Sequence, residues 1–173
     1  MAFTPVKNDL LGNIKVRHDL HPYSLYHQQP TNDCQKIRTR QQAAPAESTT
    51  LQSLVLNELK SGSHTATEGL LWLLRGLDFT AQALRENLSK PTQELSDSFR
   101  AAYGNTLKPH HGFLIKPVFS AAMGATPYKK DFYAKLGGDE GRIQEQMEME
   151  VKALENVVRI LKEFMGRKEA QWK

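Results

Sequence analysis

The 173-residue sequence predicts a single all-α domain. Two long stretches repeat apolar residues every three to four positions, which is the period of an amphipathic helix. The alternation of apolar and polar residues that marks a half-buried strand is sparse by comparison. The length suffices for a hydrophobic core without covalent or metal cross-links, and the single cysteine, Cys34, excludes an internal disulfide.

Composition and charge limit the possible functions. The formal net charge is +4 and 39% of the residues are hydrophobic, but no apolar run approaches the roughly 18 residues of a membrane span. The first residues lack the basic-then-apolar order of a secretion signal, so we expect a cytoplasmic protein that meets membranes only at their surface. The basic residues are scattered and accompany no nucleic-acid motif, so we expect no nucleic-acid partner.

Catalytic and metal-binding patterns are also missing from the sequence. No combination of nucleophile, general base and oxyanion donors is visible, which argues against an enzyme. His18, His21 and His27 follow no familiar metal-ligand spacing. We therefore expect neither a metal nor another cofactor.

A short helix precedes the first long run. Residues 41–50 have the composition of a linker and end at a Ser/Thr helix cap. Four apolar residues then follow helical spacing: Leu51, Leu54, Val55 and Leu59. The Ser61-Gly62-Ser63 turn closes this helix.

The first long run begins at Thr65, and Glu68 three residues later completes the pattern of a capping box. Its apolar stripe predicts a core face made of Leu70, Leu73, Leu74, Leu77, Ala81, Leu84 and Leu88. Trp72 lies on a different face, beside Gly69 and Gly76, where the backbone carries almost no side chain. A second buried face and an indole that stacks on a ligand both explain this position.

The second long run covers residues 92–122. As a continuous helix it would place six residues on one face: Leu107, His111, Leu114, Ile115, Val118 and Ala122. Pro109 and Pro117 each remove an amide, which predicts a kink in the run or its division. His111 would then lie within the apolar stripe, either as a core histidine or as an imidazole that contacts a ligand.

Two further helices follow. Residues 128–136 predict a short helix after Pro127, and Gly137-Gly138 marks a flexible joint. The last helix, about residues 139–166, carries an apolar stripe of Ile143, Met147, Val151, Leu154, Val158, Leu161 and Met165. We expect this stripe to pack on the rest of the domain.

Several multi-residue motifs resemble those of the glycolipid transfer protein superfamily, in particular its fungal branch associated with heterokaryon incompatibility. They are Leu71-Trp72-Leu73-Leu74-Arg75-Gly76-Leu77, Ala102-Tyr103 with Leu107-Lys108-Pro109-His110-His111-Gly112-Phe113, and Pro127-Tyr128 with Asp131-Phe132. The resemblance covers nearly all of residues 45–135. It implies a two-layer helical sandwich. In the superfamily a further helix precedes the Phe3-Thr4-Pro5 stretch, so we expect a truncated N-terminus that lacks this first helix.

The resemblance also implies a sugar-binding set near the N-terminus. Asp9, Asn13 and a lysine three residues further would share one helix face and bind the sugar headgroup, but Val16 follows Lys15 directly. Removing residues 16–35 brings Lys36 to the expected position. We therefore expect an inserted loop at 16–35, a segment without helical or strand periodicity. We hypothesise a retained intron, because every valine codon begins with GT and glutamine can be encoded by CAG; a genuine surface loop is the alternative.

The remaining site roles follow from the resemblance. Trp72 would stack on the first sugar, and His111 would pair with the ceramide amide, assisted by Asp9. The hydrocarbon chains would lie in a sleeve lined by Leu107, Phe113, Leu114, Val118, Phe119 and Ala122.

The implied function is non-enzymatic transfer of glycosphingolipids between membranes by a monomer that binds membranes transiently. A ceramide-1-phosphate carrier and a sphingolipid sensor are the alternatives. We expect poor or absent transfer by the chain as written, because the insertion displaces Lys36 and the first helix is missing.

Overall fold

The computed structural model describes residues 24–137 and 140–172, and the side chains of residues 32–137 and 141–172. These ranges contain helices and no strand, which confirms the predicted all-α class. The α-helices are α1 (Ser24–Ala43), α2 (Leu51–Lys60), α3 (Thr65–Ser89), α4 (Leu95–Asn105), α5 (Ile115–Gly124), α6 (Lys129–Leu136) and α7 (Glu140–Met165). No helix in the described ranges is both long enough and apolar enough to cross a bilayer.

Helix α3 is the centre of the fold and packs against α1, α4 and α7. Its predicted core face is confirmed, since Leu70, Leu74 and Ala81 are buried. Leu70 and Leu74 join a hydrophobic cluster with Val55 of α2 and with residues of α7, namely Val158, Leu161, Phe164 and Met165. The packing of this cluster fixes the orientation of α3 and therefore the direction in which its other face points.

The start of α3 is capped differently from the prediction. His64 is the N-cap residue and makes no side-chain capping bond, so the expected Thr65–Glu68 capping box is wrong. Instead, the buried carboxylate of Glu58 accepts hydrogen bonds from the amides of Ala66 and Thr67, at 2.9 and 2.7 Å. A carboxylate from α2 thus satisfies amides that the helix itself leaves unpaired. The predicted cap of α2 is present, because Thr50 and Ser53 form a capping box.

Helix α1 includes residues that were expected to be irregular. Residues 24–35, assigned to the loop at 16–35, are helical, and the helix continues through the start of the expected linker at 41–43. The prediction was wrong because it relied on apolar periodicity, which this segment lacks. In the described part of α1, Ile37 packs against the hydrophobic cluster and polar side chains make further contacts. Lys36 pairs with Asp33, and Arg40 donates to Asn57 of α2.

The second long run is divided. Helix α4 ends at Asn105, a 3-10 turn covers Lys108–His110, and α5 begins at Ile115. Both prolines lie at the starts of helical segments, where a missing amide costs little. The expectation of one shared face across residues 107–122 is wrong, because the break resets the helical phase: Leu107 is buried whereas Leu114, Ile115 and Val118 are exposed.

Candidate functional site

Trp72 lies among two histidines and an arginine. The ring of His111 is nearly parallel to the indole, with 6.2 Å between centroids and 21° between planes. His110 meets the indole edge-on at 6.4 Å. The division of the second long run therefore brings His111 to α3, and the two rings that the sequence analysis assigned to one site lie together.

The guanidinium of Arg75 covers part of the indole. Its Cζ lies 4.6 Å from the ring centroid, in cation–π geometry. The neighbouring acid, Asp78, pairs instead with Lys162 of α7 at 2.9 Å. A cleft of about 350 Å³ adjoins this region and is lined in part by Arg75 and His110. Trp72 is half-buried, and Arg75 and His111 lie against its ring.

His111 is held by aromatic residues from two helices. The hydroxyl of Tyr103 on α4 lies 3.2 Å from His111 Nδ1. Phe119 on α5 contacts the imidazole with 4.6 Å between centroids and stacks on Tyr103 at 5.1 Å. Tyr103 has no predicted role, although its position in the Ala102-Tyr103 motif is a signal from which one could have been inferred.

The surroundings of His111 disfavour its charged form. Burial lowers the pKa of His111, and the nearby positive charges of His110, Lys116 and Arg75 lower it further. The pKa of His110 is also lowered, by burial and by Arg75. His111 is therefore neutral near pH 7, with one ring nitrogen that donates and one that accepts.

Lys36 approaches the same stretch of α3 from α1. An added Cβ at Gly69 would lie 3.1 Å from the backbone oxygen of Asp33 and 3.3 Å from Cδ of Lys36. Gly69 therefore permits the close approach of α1, one turn before Trp72. Asp9 and Asn13, the other predicted headgroup residues, lie outside the described residues.

The predicted chain-lining residues fall into two groups. Leu107 is buried, and Phe119 and Ala122 are half-buried; Leu107 and Phe119 pack in one cluster with Tyr103. Phe113, Leu114 and Val118 are at the surface, with Phe113 80% and Leu114 70% exposed. These three residues belong to an apolar surface on and before α5, which also includes Ile115.

Residues 22–138 match the family described as "Glycolipid transfer protein (GLTP)". The chain belongs to the glycolipid transfer protein family. Among curated relatives, it is 56% identical over 171 residues to a "Glycolipid transfer protein" from Aureobasidium melanogenum, covering 99% of this chain and 75% of the relative. It is 35% identical over 149 residues to the human "Pleckstrin homology domain-containing family A member 8", covering 84% of this chain and 25% of that longer protein.

Solved structures agree with this family assignment. The fungal glycolipid transfer protein HET-C2 matches with a TM-score of 0.83 and 57% identity, covering 87% of this chain and 76% of that one. A structure describing how FAPP2 selects simple glycosphingolipids using the GLTP fold matches with a TM-score of 0.74 and 29% identity, covering 83% and 74%. The predicted glycolipid transfer protein fold and fungal branch are confirmed. Mouse ceramide-1-phosphate transfer protein matches with a TM-score of 0.75 and 20% identity, covering 86% of this chain and 77% of that one. This match supports the fold alone.

Proposed function

We propose that this protein is a carrier, not an enzyme, that extracts a glycosphingolipid from one membrane and delivers it to another. The observation that carries the proposal is the placement of Trp72 and His111, nearly parallel and 6.2 Å apart, within a chain of the glycolipid transfer protein family. A sugar ring offers C–H faces that pack on an indole, and a ceramide offers an amide that hydrogen-bonds to an imidazole. The two side chains thus match the two polar parts of one ligand.

The contact between Tyr103 and His111 supports a defined role for the imidazole. When the Tyr103 hydroxyl donates to Nδ1, the proton of the neutral ring lies on Nε2. Nε2–H then donates to the carbonyl oxygen of the ceramide amide. The lowered pKa of His111 keeps the ring neutral at pH 7. The hydrogen bond from Tyr103 then decides which of the two ring nitrogens carries the proton.

Sugar recognition involves Trp72 and Lys36. The ammonium of Lys36 donates to sugar hydroxyls, and Asp9 and Asn13 complete the proposed headgroup set. Arg75 lies over the indole, so a sugar stacks on the face that Arg75 covers only after the guanidinium moves away. Because its position decides whether a sugar can stack on Trp72, we include Arg75 in the proposed headgroup site.

The hydrocarbon chains supply most of the binding free energy, since each buried CH₂ contributes about 0.8 kcal/mol. We assign Leu107, Phe119 and Ala122 to the inner part of the sleeve and Phe113, Leu114 and Val118 to its mouth. The exposed mouth lies beside Lys116, which suits contact with the interface of an anionic membrane. We therefore propose that the same surface docks transiently on the membrane.

Vesicle-to-vesicle transfer of fluorescent galactosylceramide tests the carrier proposal. We expect slow transfer by the purified chain, and about a tenfold further loss in Trp72→Ala and in His111→Leu, since a stack or a hydrogen bond contributes about 1 kcal/mol or more. His64→Leu is the matched control, because the exposed His64 stacks on Trp172 and makes no ring contact with Trp72 or His111 among the described residues. A folded chain that binds galactosylceramide without transferring it would favour a sphingolipid sensor, and one that binds none would refute both.

A further inference from the structure

Asp33 is a buried carboxylate on α1 to which the carrier mechanism assigns no role. Only 2% of Asp33 is exposed, and its Oδ1 accepts a hydrogen bond from Lys36 Nζ at 3.0 Å. A carboxylate loses its hydration on burial, so a paired cation is needed to offset the cost. Lys36 is therefore held by Asp33 and does not present a free positive charge.

The pair lies beside the proposed headgroup site. Both residues touch the position of Gly69, which is three residues before Trp72 on α3, or about 4.5 Å along the helix axis. The Lys36 side chain is 35% exposed, whereas that of Asp33 is 3% exposed. The Lys36 side chain is thus accessible to a ligand, while Asp33 stays behind it.

The register of α1 makes this arrangement specific to the chain as written. Without residues 16–35, the residue three positions before Lys36 would be Asn13, which is neutral. With them, that position is Asp33, which shares a helix face with Lys36. The segment therefore places a negative charge where the proposed headgroup set has an amide.

We propose that Asp33 determines headgroup specificity by positioning and neutralising Lys36, so that the site selects neutral, hydroxyl-bearing headgroups over anionic ones. This inference rests on the proposed carrier function. Lys36 keeps two N–H donors for sugar hydroxyls. An anionic headgroup drawn to Lys36 meets the carboxylate behind it, which cancels the attraction.

No other described charge near the site has been assigned the role of Asp33, which is to pair with the ammonium of Lys36. Arg40, one turn beyond Lys36, donates to Asn57, and Glu58 accepts from the amides that begin α3. Arg75 on Trp72 has no ion pair among the described residues. Loss of the Asp33 charge would leave both Lys36 and Arg75 without a carboxylate partner in that part of the chain.

Binding of two lipids with the same acyl chain tests the inference at pH 7: galactosylceramide, which is neutral, and ceramide-1-phosphate, which is anionic. We expect Asp33→Asn to raise the ratio of ceramide-1-phosphate to galactosylceramide affinity about tenfold, the effect of one charge interaction near a protein surface. Lys36→Met removes the cation and should move the ratio the opposite way. Either variant tests the proposal if the other fails to fold, and circular dichroism monitors folding.

Asp97→Asn is the matched control, because Asp97 forms the same type of i,i+3 pair with Arg100 on α4 but is exposed. Its ratio should stay unchanged. An unchanged ratio in folded Asp33→Asn, or an equal shift in Asp97→Asn, would overturn the inference and leave the carrier proposal intact. Failure of the unsubstituted chain to bind either lipid would overturn both.

Discussion

The orientation of His111 depends on side chains that come from three different helices. Tyr103 of α4 bonds its Nδ1, Phe119 of α5 packs against the ring, and Trp72 of α3 lies nearly parallel to it. His111 itself is in extended backbone after a 3-10 turn, with φ −89° and ψ 132°. The ring therefore has no helix of its own to orient it, and the hydrogen bond to Tyr103 becomes decisive.

Tyr103→Phe tests that hydrogen bond. We expect an unchanged fold and a threefold to tenfold loss of galactosylceramide affinity, because one hydrogen bond contributes about 1 kcal/mol and the Nε2–H tautomer is no longer enforced. Nitrogen NMR shifts of His111 would report the tautomer directly. Phe99→Leu, which alters a neighbouring aromatic pair that does not include His111, is the control. A wild-type tautomer and affinity in Tyr103→Phe would remove Tyr103 from the mechanism.

Among the elements, α2 stabilises α3 from outside. Burial alone would raise the pKa of Glu58, but hydrogen bonds from Ala66 and Thr67 outweigh it and lower the pKa below its usual 4.5. The unfolded chain then binds a proton at higher pH than the folded chain does. The stabilisation is complete above pH 4.5 and is lost as the pH falls through the folded pKa.

Glu58→Gln should therefore lower the free energy of unfolding by about 2 kcal/mol at pH 7, the scale of charged hydrogen bonds in a buried position. The difference from the unsubstituted chain should shrink as the pH is lowered below 4.5. Urea unfolding monitored by circular dichroism at several pH values measures both effects. Glu68→Gln removes a charge from the first turn of α3, the helix that Glu58 caps, and should lower the free energy of unfolding by less than about 1 kcal/mol. Equal losses in the two variants would assign the effect to the helix dipole.

At the scale of the whole molecule, we expect the exposed apolar surface around Phe113 to contact the membrane. Phe113→Asp should reduce binding to phosphatidylcholine/phosphatidylserine vesicles about tenfold, because it replaces an apolar anchor with a charge that anionic lipids repel. Sedimentation with vesicles measures this. Met149→Asp on α7, also at an exposed apolar position, is the control. Equal effects of the two substitutions would mean that Phe113 has no special part in docking.

Deletion of the segment at 16–35 is also expected to change transfer by the whole molecule. Its deletion joins Lys15 to Lys36 and places Asp9, Asn13 and Lys36 at the spacing of the proposed headgroup set. We expect the deleted chain to transfer galactosylceramide at least several-fold faster than the chain as written. Equal rates, measured with the same vesicles, would show that α1 already presents Lys36 adequately. Sequencing of the gene and its transcripts tests the intron hypothesis independently.

The sequence by itself determined the all-α class, the core faces of α3 and α7 and the family, and it singled out Trp72 and His111, the two rings of the proposed site. These features are local, because the spacing of Leu70 and Leu74 or of Val158 and Leu161 marks the buried side of a helix wherever its partner lies. The short motifs around Trp72 and His111 are also local, so they can be recognised without knowing how the helices pack. The second long run shows the limit of such patterns, since periodicity across Pro109 and Pro117 predicted a shared face that the break removed.

Only the tertiary structure decided which distant groups meet. Glu58 and the amide of Thr67 belong to different helices, and so do Tyr103 and His111, and Asp33 and Gly69. The part of α1 at 32–35, which was expected to be irregular, is helical and lies against α3, where Asp33 approaches Gly69. Hydrogen bonding and burial depend on where separate segments pack, and the local order of residues does not contain that information.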